Sequence, residues 1–426
     1  MEFRYKNSSQ VSPQEIKTTV NSLSSYTKEL CDARDKNNYS SCESFINLPF
    51  DAGIKNLIKQ SVKKKIDKNL KYIVHIGTGG ANTATKAVYD ALYGFFDVLD
   101  PTRFSKVIFL DNSDSGTLNK VINLLNNQIK TPREVLIHVV SKSGVTAETV
   151  YNFELMLSTF PEFEQRVIAV VGSGSRFYEL LKEKNVTTIP VLEKIEDRYS
   201  AFSVRSLLTL FACGLDIDLF IKGAKSIVEK CLQESLGWHL PVVSASIIFN
   251  HYKRDKRILD NFFFNPELES LGKWYRQVLA ESVGKDGKGI TPTVSIGTKD
   301  LHSVAQLTFD GPKDKLTHFF WAKNQYNKAT LPDKLSYEGL VSNIEGKSTR
   351  DFVSAMYGGV KSGYAVNNLP FCEILVDDVS LYSLGQYMQF KMLEVVFLAK
   401  LMRVNAFNQP AVEDYKSATR KILASH

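Results

Sequence analysis

Four short, β-branched stretches in the first half of the chain are separated from one another by enough residues to form helices. They lie at 71–77, 106–112, 134–141 and 166–173, and "EVLIHVVS" is typical of them. Runs of this length and composition predict buried strands, and the spacing is typical of strand–helix–strand units. Because such units build a parallel sheet with helices on both faces, the sequence predicts an α/β fold.

The same alternation returns, more loosely, in the second half of the chain. Its strand candidates lie at 257–264, 291–297, 315–322 and 371–376, with long helical segments between them. A length of 426 residues is enough for two domains that each bury a core. We therefore predict two α/β domains of the same general type.

The predicted domain organisation has four parts. Residues 1–45 are polar and form an N-terminal helical extension, and the first α/β domain covers 46–215. The second domain covers 216–390, and 391–426 form a C-terminal helical segment. Within this last segment, "NAFNQPAVEDYK" breaks the helical pattern, which predicts a loop that leads into a short terminal helix.

Composition and charge argue against two classes of function. A hydrophobic fraction of 43% with 23% charged residues is typical of a soluble globular protein. The net charge of +7 is spread along the chain, and we interpret the densest basic run, 61–71, as a solvated helix face. We therefore predict no nucleic-acid partner. The longest apolar runs are too short to cross a bilayer, which predicts no membrane partner.

Cysteine usage and the polar N-terminus favour a cytoplasmic protein. The five cysteines show no C-x-x-C spacing, so they indicate neither a disulfide framework nor a zinc site. The first residues, "MEFRYKNSSQVSPQEIK", lack the apolar segment of a secretory signal. We therefore expect the reducing environment of the cytoplasm.

The end of the third predicted strand is the best candidate for a ligand site. There "SKSGVTAET", which begins at Ser141, follows directly on the apolar "EVLIHVV". Ligands of open parallel sheets bind beyond the carboxyl ends of strands. Gly144 permits close backbone approach, Lys142 adds a positive charge, and the next helix supplies free N–H groups. A simple helix cap would explain one hydroxyl but not those of Ser141, Ser143 and Thr146 together, so we predict a phosphate site.

A glycine loop, "IGTGGANTATKA", follows the first predicted strand. Its glycines, Gly77, Gly79 and Gly80, match neither the dinucleotide fingerprint nor the Walker loop. A dinucleotide site is therefore the weaker interpretation. A close backbone approach to a ligand and a tight strand-to-helix turn both remain open.

Two further segments carry candidate chemistry. Gln277 and Glu281 are four residues apart and would share one helix face if the helix persists; from spacing alone, an exposed glutamate at a helix end is the plainer interpretation. His302 lies beside a polar turn, with Gln306 one helical turn later. No second histidine has metal-ligating spacing to it, so we predict no metal.

Taken together, four segments closely resemble glucose-6-phosphate isomerases of the bacterial type. They occur in the family's order and are "SKSGVTAET", "WYRQVLAESVGKDGKGITP", "GTKDLHSVAQ" and "FNQPAVEDYK". The resemblance implies two sugar-isomerase domains, each a parallel sheet flanked by helices. It implies reversible conversion of glucose 6-phosphate to fructose 6-phosphate, without a metal or organic cofactor. It also implies a homodimer whose active site borrows His302 from the neighbouring subunit.

The resemblance assigns roles to individual residues. Glu281 matches the proton-transfer base, and Arg198 is the expected stabiliser of a negatively charged enediolate. His302 and Lys416 match the pair that opens the sugar ring. The residues that it places in contact with the substrate are Gly80, Ser141, Lys142, Ser143, Thr146, Gln277 and Gln409.

The chain departs from the family pattern in two places. The family usually has Gly-Gly before the arginine, whereas here Glu196 and Asp197 precede Arg198. Two acids could lower the local positive potential or bend the loop. The family's glycine loop also normally ends Gly-Gly-Ser, and here Ala81 follows Gly80, which removes one hydroxyl.

Three other functions compete with this interpretation. A non-catalytic sugar-phosphate sensor needs the phosphate loop, but it has no use for Glu281, His302 and Lys416 together. An isomerase that also accepts mannose 6-phosphate stays open, because epimer choice depends on fine pocket shape. A dinucleotide-dependent oxidoreductase is the third alternative.

Overall fold

The computed structural model describes residues 1–232, 239–324 and 329–425. The strands in these residues are β1 (Glu2–Arg4), β2 (Tyr72–Ile76), β3 (Lys106–Leu110), β4 (Val135–Ser141), β5 (Val167–Val171), β6 (Thr187–Pro190), β7 (Ile258–Phe263), β8 (Thr291–Ile296), β9 (Lys315–Ala322) and β10 (Phe371–Val376). The helices are α1 (Pro13–Asn21), α2 (Ser24–Lys36), α3 (Ala52–Val62), α4 (Thr83–Tyr93), α5 (Ser115–Gln128), α6 (Ala147–Thr159), α7 (Arg176–Glu183), α8 (Val204–Ala212), α9 (Ile217–Cys231), α10 (Leu240–Lys253), α11 (Glu269–Val283), α12 (Ala305–Asp310), α13 (Thr349–Val366), α14 (Leu381–Met402) and α15 (Val412–Ser425).

The first sheet has the strand order β3-β2-β4-β5-β6, and all of its pairings are parallel. All residues of β2, β4 and β5 are buried. Central strands that are covered on both faces are mostly apolar, instead of alternating between apolar and polar residues. This pattern is why they could be predicted from the sequence. The four strands predicted in the first half are confirmed. The sequence prediction missed β6, a four-residue edge strand that ends in proline.

The second sheet has the order β1-β10-β9-β7-β8. Its pairings are parallel except that β1 runs antiparallel to β10, with Phe3 opposite Ile374. The four strands predicted in the second half are confirmed, and so is the α/β fold with parallel sheets flanked by helices. The prediction missed β1, because three residues are too few to show a pattern.

The N-terminal residues are attached to the second half of the chain. Besides β1, the side-chain amide of Asn250 on α10 donates a hydrogen bond to the Thr19 hydroxyl at 3.0 Å. The predicted boundary between 390 and 391 falls inside α14, which is a continuous helix, and all of the domain boundaries stay predictions. The basic run 61–71 is not a helix face beyond Val62, because α3 ends there.

In the described part of the chain, no helix has both the length and the apolar character that crossing a membrane requires.

A neutral polar cluster lies in the interior beside the first sheet. His75 on β2 and His138 on β4 are fully buried, and the Nδ1 atom of each is within 2.8 Å of the Thr209 hydroxyl on α8. The His75 Nε2 atom lies 3.1 Å from the carbonyl oxygen of Ala81. Burial lowers the pKa of His75 to about 4 and also lowers the pKa of His138. Both rings are therefore neutral near pH 7, and the His75 Nε2–H donates to the backbone of the glycine loop.

A charged cluster lies in the interior beside the second sheet. Lys391 and Glu394 on α14 are fully buried, with Lys391 Nζ 3.0 Å from Glu394 Oε1. The hydroxyls of Tyr275 and Ser244 donate to the same carboxylate. Lys391 Nζ also lies 3.0 Å from Nδ1 of His318 on β9, and burial lowers the pKa of Lys391. Since Tyr275 lies on α11 and Ser244 on α10, this ion pair links both helices to α14.

Candidate active site

The carboxyl ends of β2, β4 and β6 lie at one edge of the first sheet, because these strands are parallel. The segments that follow them are the glycine loop (77–82), the anion loop (141–146) and the arginine segment (191–198). Together with α11 and α15 they border a cavity of about 330 Å³. Among the residues predicted from the sequence, the cavity brings together Gly80, Ser143, Thr146, Arg198, Gln277, Glu281, Gln409 and Lys416.

The anion loop is folded by its own hydrogen bonds. Ser141 is buried, and its hydroxyl oxygen accepts a bond from the Gly144 N–H at 3.1 Å. Gly144 has φ +68°, and a Cβ there would overlap the Ser175 hydroxyl, so glycine is required twice over. The loop therefore has one fixed path from β4 into α6.

The hydroxyls of the anion loop are not used to cap α6. Thr146 occupies the N-cap position, but its side chain makes no capping hydrogen bond. Its Oγ1 atom lies 3.3 Å from the Ser143 hydroxyl, and both residues line the cavity. The helix-cap interpretation is thus wrong for these two hydroxyls. Two hydroxyls at a helix N-terminus are suited to an anion.

Lys142 points toward the arginine segment. Its Nζ atom lies 2.7 Å from Glu196 Oε1, and the two side chains are 26% and 20% exposed. Neither Lys142 nor the buried Ser141 lines the cavity, whereas Ser143 and Thr146 do. Direct contact of Ser141 and Lys142 with a phosphate therefore stays a prediction.

The glycine loop packs against the arginine segment. A Cβ at Gly80 would lie 2.5 Å from both the backbone nitrogen of Arg198 and the carbonyl carbon of Asp197. The close approach that a glycine permits here is therefore to the protein's own backbone. Because the glycine loop and the arginine segment meet at Gly80, this residue fixes where Arg198 enters the cavity.

Arg198 is the most heavily bonded side chain of the cavity. Its side chain is 1% exposed. It donates to five acceptors, which are Ser282 Oγ (3.0 Å), Glu281 Oε2 (3.3 Å), Gln409 Oε1, the Ala406 carbonyl (2.7 Å) and the Asn408 carbonyl (3.3 Å). The guanidinium thereby joins the arginine segment to α11 and to the loop before α15. It places a fixed positive charge beside the Glu281 carboxylate.

Glu281 is held from two sides. Its Oε1 atom accepts a hydrogen bond from Gln277 Nε2 at 2.9 Å, and Oε2 faces Arg198. The Gln277 amide oxygen in turn accepts from the Thr83 hydroxyl at 2.8 Å. The predicted shared helix face of Gln277 and Glu281 is confirmed, since α11 runs through Val283. The Glu281 side chain is 32% exposed, so a ligand in the cavity can contact its carboxylate.

The C-terminal helix completes the cavity. Lys416 on α15 lines it, with Nζ 3.1 Å from Glu413 Oε1 on the same helix. The predicted loop and terminal helix after α14 are both present. The cavity thus combines one carboxylate held in place, a fixed guanidinium, a partly exposed ammonium group and an anion loop. Such a set can bind a phosphate and move a proton on carbon.

His302 lies elsewhere in the structure. It ends a short 3₁₀ helix, Lys299–His302, that follows β8, and its side chain is exposed. The carboxylate of Asp300 supports this turn by accepting from the Ile296 N–H at 2.7 Å. His302 is not among the residues that line the cavity of its own chain.

The sequence prediction missed three residues that organise the site. Ser282 accepts from Arg198, and Thr83 orients Gln277. Arg205 on α8 is buried and donates to Asp197 Oδ1 at 2.6 Å. An arginine within the apolar stretch "VRSLLTLFA" was a usable signal, because buried charges are almost always paired.

The sequence of the chain matches the profile of a family described as phosphoglucose isomerase over residues 52–426. Similar curated proteins include a glucose-6-phosphate isomerase from Methanocaldococcus jannaschii, which is 30% identical with 82% of this chain and 84% of the relative covered. The glucose-6-phosphate isomerase of Rubrobacter xylanophilus is 28% identical, with 81% of each chain covered.

Two solved structures share the fold over most of the chain. A hypothetical protein from Thermus thermophilus has a TM-score of 0.79 at 25% identity, covering 95% of this chain and 97% of the other. A glucose-6-phosphate isomerase from Chlamydia trachomatis has a TM-score of 0.78 at 18% identity, covering 99% and 88%. At 18% identity the second likeness concerns the fold alone.

Proposed function

The chain belongs to the phosphoglucose isomerase family, and we propose that it interconverts glucose 6-phosphate and fructose 6-phosphate. One observation carries the proposal, which is that the Glu281 carboxylate shares a cavity with the anion loop. An aldose and its ketose differ by the position of hydrogen on two neighbouring carbons. A single carboxylate that reaches both carbons can take a hydrogen from one carbon and deliver it to the other.

The anion loop is the proposed site of the substrate phosphate. The hydroxyls of Ser143 and Thr146 and the first N–H groups of α6 would donate to its oxygens. Ser141 acts through its bond to the Gly144 N–H, which fixes the loop. Because the phosphate is remote from the reacting carbons, its binding energy can be used to orient the sugar.

Ring opening comes before proton transfer, since a hydrogen on carbon becomes acidic only next to a carbonyl. We assign this step to Lys416 together with a histidine. His302 is exposed and lies outside the cavity of its own chain. We therefore propose a homodimer in which His302 of the partner subunit reaches this cavity and moves the proton between the ring oxygen and the C1 hydroxyl.

Glu281 then takes the proton from C2 while the C1 carbonyl oxygen gains a proton, and it delivers its proton to C1 while the C2 hydroxyl loses one. The intermediate is an enediol, whose negatively charged form would be stabilised by the Arg198 guanidinium that faces the carboxylate at 3.3 Å. Gln277 and Gln409 would hold sugar hydroxyls, and Gly80 would lie beside the sugar. No step requires a metal ion or an organic cofactor.

The proposed division into domains places this site between them. The anion loop and the arginine segment come from the proposed first domain (46–215), and Glu281 comes from the proposed second domain (216–390). We also propose that the protein works in the cytoplasm. The odd number of cysteines and their lack of C-x-x-C spacing support this, because disulfide frameworks are typical of oxidising compartments.

A coupled assay tests the proposed reaction. Purified protein is given fructose 6-phosphate, and the glucose 6-phosphate formed is followed by NADPH production with added glucose-6-phosphate dehydrogenase. We expect turnover that scales with the concentration of the protein. Binding of fructose 6-phosphate without any turnover would contradict the proposal and would favour a non-catalytic sugar-phosphate sensor.

A further inference from the structure

Two acids precede Arg198, and each is neutralised by a basic side chain. Glu196 pairs with Lys142 of the anion loop, and Asp197 pairs with Arg205 of α8. Both charge pairs connect the arginine segment to another part of the chain. The two pairs differ in what they connect.

The Asp197–Arg205 pair belongs to the framework of the arginine segment. Arg205 is buried and also donates to the carbonyl oxygens of Leu192 and Ile195, at 3.1 Å each. These bonds fold residues 191–197 around a single guanidinium. Asp197 therefore serves as the counter-charge of a structural arginine.

The Glu196–Lys142 pair connects two separate parts of the site. Lys142 follows β4, Glu196 lies in the segment after β6, and their charged atoms are 2.7 Å apart. Lys142 provides the only formal positive charge in the sequence of the anion loop, 141–146. While it is paired with Glu196, the loop offers an anion only hydroxyls and backbone N–H groups.

We propose that Glu196 sets the affinity of the site for the phosphate end of its substrate by competing with that phosphate for Lys142. This inference rests on the proposed function only in taking the anion to be a sugar phosphate. An incoming phosphate must either bind without the Lys142 ammonium group or displace Glu196 from it. Both alternatives cost binding free energy. Ion pairs with partly exposed side chains are weak, so the cost corresponds to a factor of about two to five in affinity.

Calorimetry with inorganic phosphate as the probe tests the competition. We expect Glu196→Gln to lower the dissociation constant about two- to five-fold at low salt. The gain should shrink at high salt, because added ions screen the freed Lys142 charge. The gain should also vanish in a Lys142→Met background, where there is no ammonium group to release. Glu196→Ala is a second variant with the same expected result.

The matched control is a lysine–glutamate pair of the same length in the same half of the chain. Lys184 and Glu164 are also 2.7 Å apart, but they lie at the amino edge of the first sheet, away from the cavity. Glu164→Gln removes one negative charge from the same half of the molecule. We expect it to leave phosphate binding at the parent value.

Three results would overturn the proposal. They are unchanged phosphate affinity in both Glu196 variants, weaker affinity in both, or an equal gain when Lys142 is already Met. These results do not depend on the proposed isomerase reaction, because phosphate binding requires no turnover. A failure of the isomerase assay would therefore be distinguishable from a failure of this proposal. In the coupled assay, the KM for fructose 6-phosphate should fall together with the phosphate dissociation constant in Glu196→Gln.

Discussion

The two sheets are accompanied by buried polar clusters of opposite character. Beside the first sheet, His75, His138 and Thr209 form a neutral cluster that ends on the backbone of the glycine loop. Beside the second sheet, the charged pair Lys391–Glu394 binds the hydroxyl of Tyr275 on α11. The neutral cluster thus supports a loop of the proposed binding site, and the charged one supports the helix that carries the proposed base, Glu281.

The two halves of the chain also contribute different groups to the cavity. The first half contributes hydroxyls, backbone N–H groups and the guanidinium of Arg198, which suit the binding of an anion. The second half contributes the carboxylate of Glu281, the side-chain amides of Gln277 and Gln409 and the ammonium group of Lys416. In the proposed mechanism the anion loop binds the phosphate and Glu281 moves the proton on carbon, so substitutions at these two places should have separable effects.

Removing the Glu281 carboxylate should have the largest effect of the predicted substitutions, and it tests whether proton transfer can be lost while phosphate binding is kept. Glu281→Gln keeps the hydrogen-bonding shape but removes the base, so we expect kcat to fall by about 10²- to 10⁴-fold. Phosphate binding at the anion loop should persist, which calorimetry can check beside the coupled assay. Glu269→Gln is the matched control, because Glu269 is a half-buried glutamate at the other end of α11, outside the cavity. Near-parent turnover of Glu281→Gln would refute the assignment.

Breaking the charged cluster tests the support of α11. Lys391→Met leaves the Glu394 carboxylate buried without its cation, and such losses cost about 3–5 kcal/mol of unfolding free energy. Urea unfolding measures this change. Adding Glu394→Gln to the same variant removes the stranded charge and should restore part of the stability. A loss below about 1 kcal/mol in Lys391→Met would show that the pair is not needed to hold α11.

Acidification sharpens the contrast from the neutral side. The folded pKa of His75 is about 4, and its ordinary value is 6.5, so the unfolded chain binds more protons between these values. The stability that His75 contributes is present above pH 6.5 and is lost as the pH falls toward 4, by about 3 kcal/mol. We expect a shallower loss in His75→Asn when unfolding is followed from about pH 7 to about pH 4.5. An equally steep loss would exclude His75 as its cause.

Weakening the anion loop should affect binding alone. Ser143→Ala and Thr146→Val each remove one hydroxyl donor from the cavity, so we expect KM for fructose 6-phosphate to rise about tenfold. The expected change in kcat is below about twofold, because neither hydroxyl contacts the reacting carbons in the proposed mechanism. A fall in kcat at unchanged KM would contradict the division between the two halves.

Removal of divalent metals should have the smallest effect of all. The proposed chemistry uses only the side chains of the cavity, so a chelator such as EDTA is expected to leave the coupled-assay rate unchanged. The control is to confirm that the coupling enzyme alone tolerates the chelator. A rate that falls with EDTA and returns with added metal would require a different mechanism.

Much of this organisation was predictable from short-range patterns. The buried strands were recognisable because they are mostly apolar and do not alternate, and the anion loop because hydroxyls and a glycine follow directly on β4. The shared helix face of Gln277 and Glu281 follows from a spacing of four residues. In contrast, β1 and β6 are short edge strands without a pattern of their own.

Long-range pairings were not predictable in the same way. The partner of Lys142, Glu196, lies 54 residues away in the sequence. The two residues meet because the carboxyl ends of β4 and β6 lie at the same edge of the first sheet. The contacts of Arg198 with the loop before α15 span more than 200 residues. From the sequence the acids before Arg198 suggested a loss of positive potential. The structure shows that both are paired with bases.

Solvent-hydrogen exchange tests the central role of Glu281 most directly. Fructose 6-phosphate is incubated with the protein in D₂O, and loss of hydrogen at C1 is followed by NMR. The parent protein is predicted to exchange this hydrogen through the enediol, while Glu281→Gln, still able to bind phosphate, does not. Exchange by Glu281→Gln at the parent rate would contradict the account, because a different group would then be moving the proton.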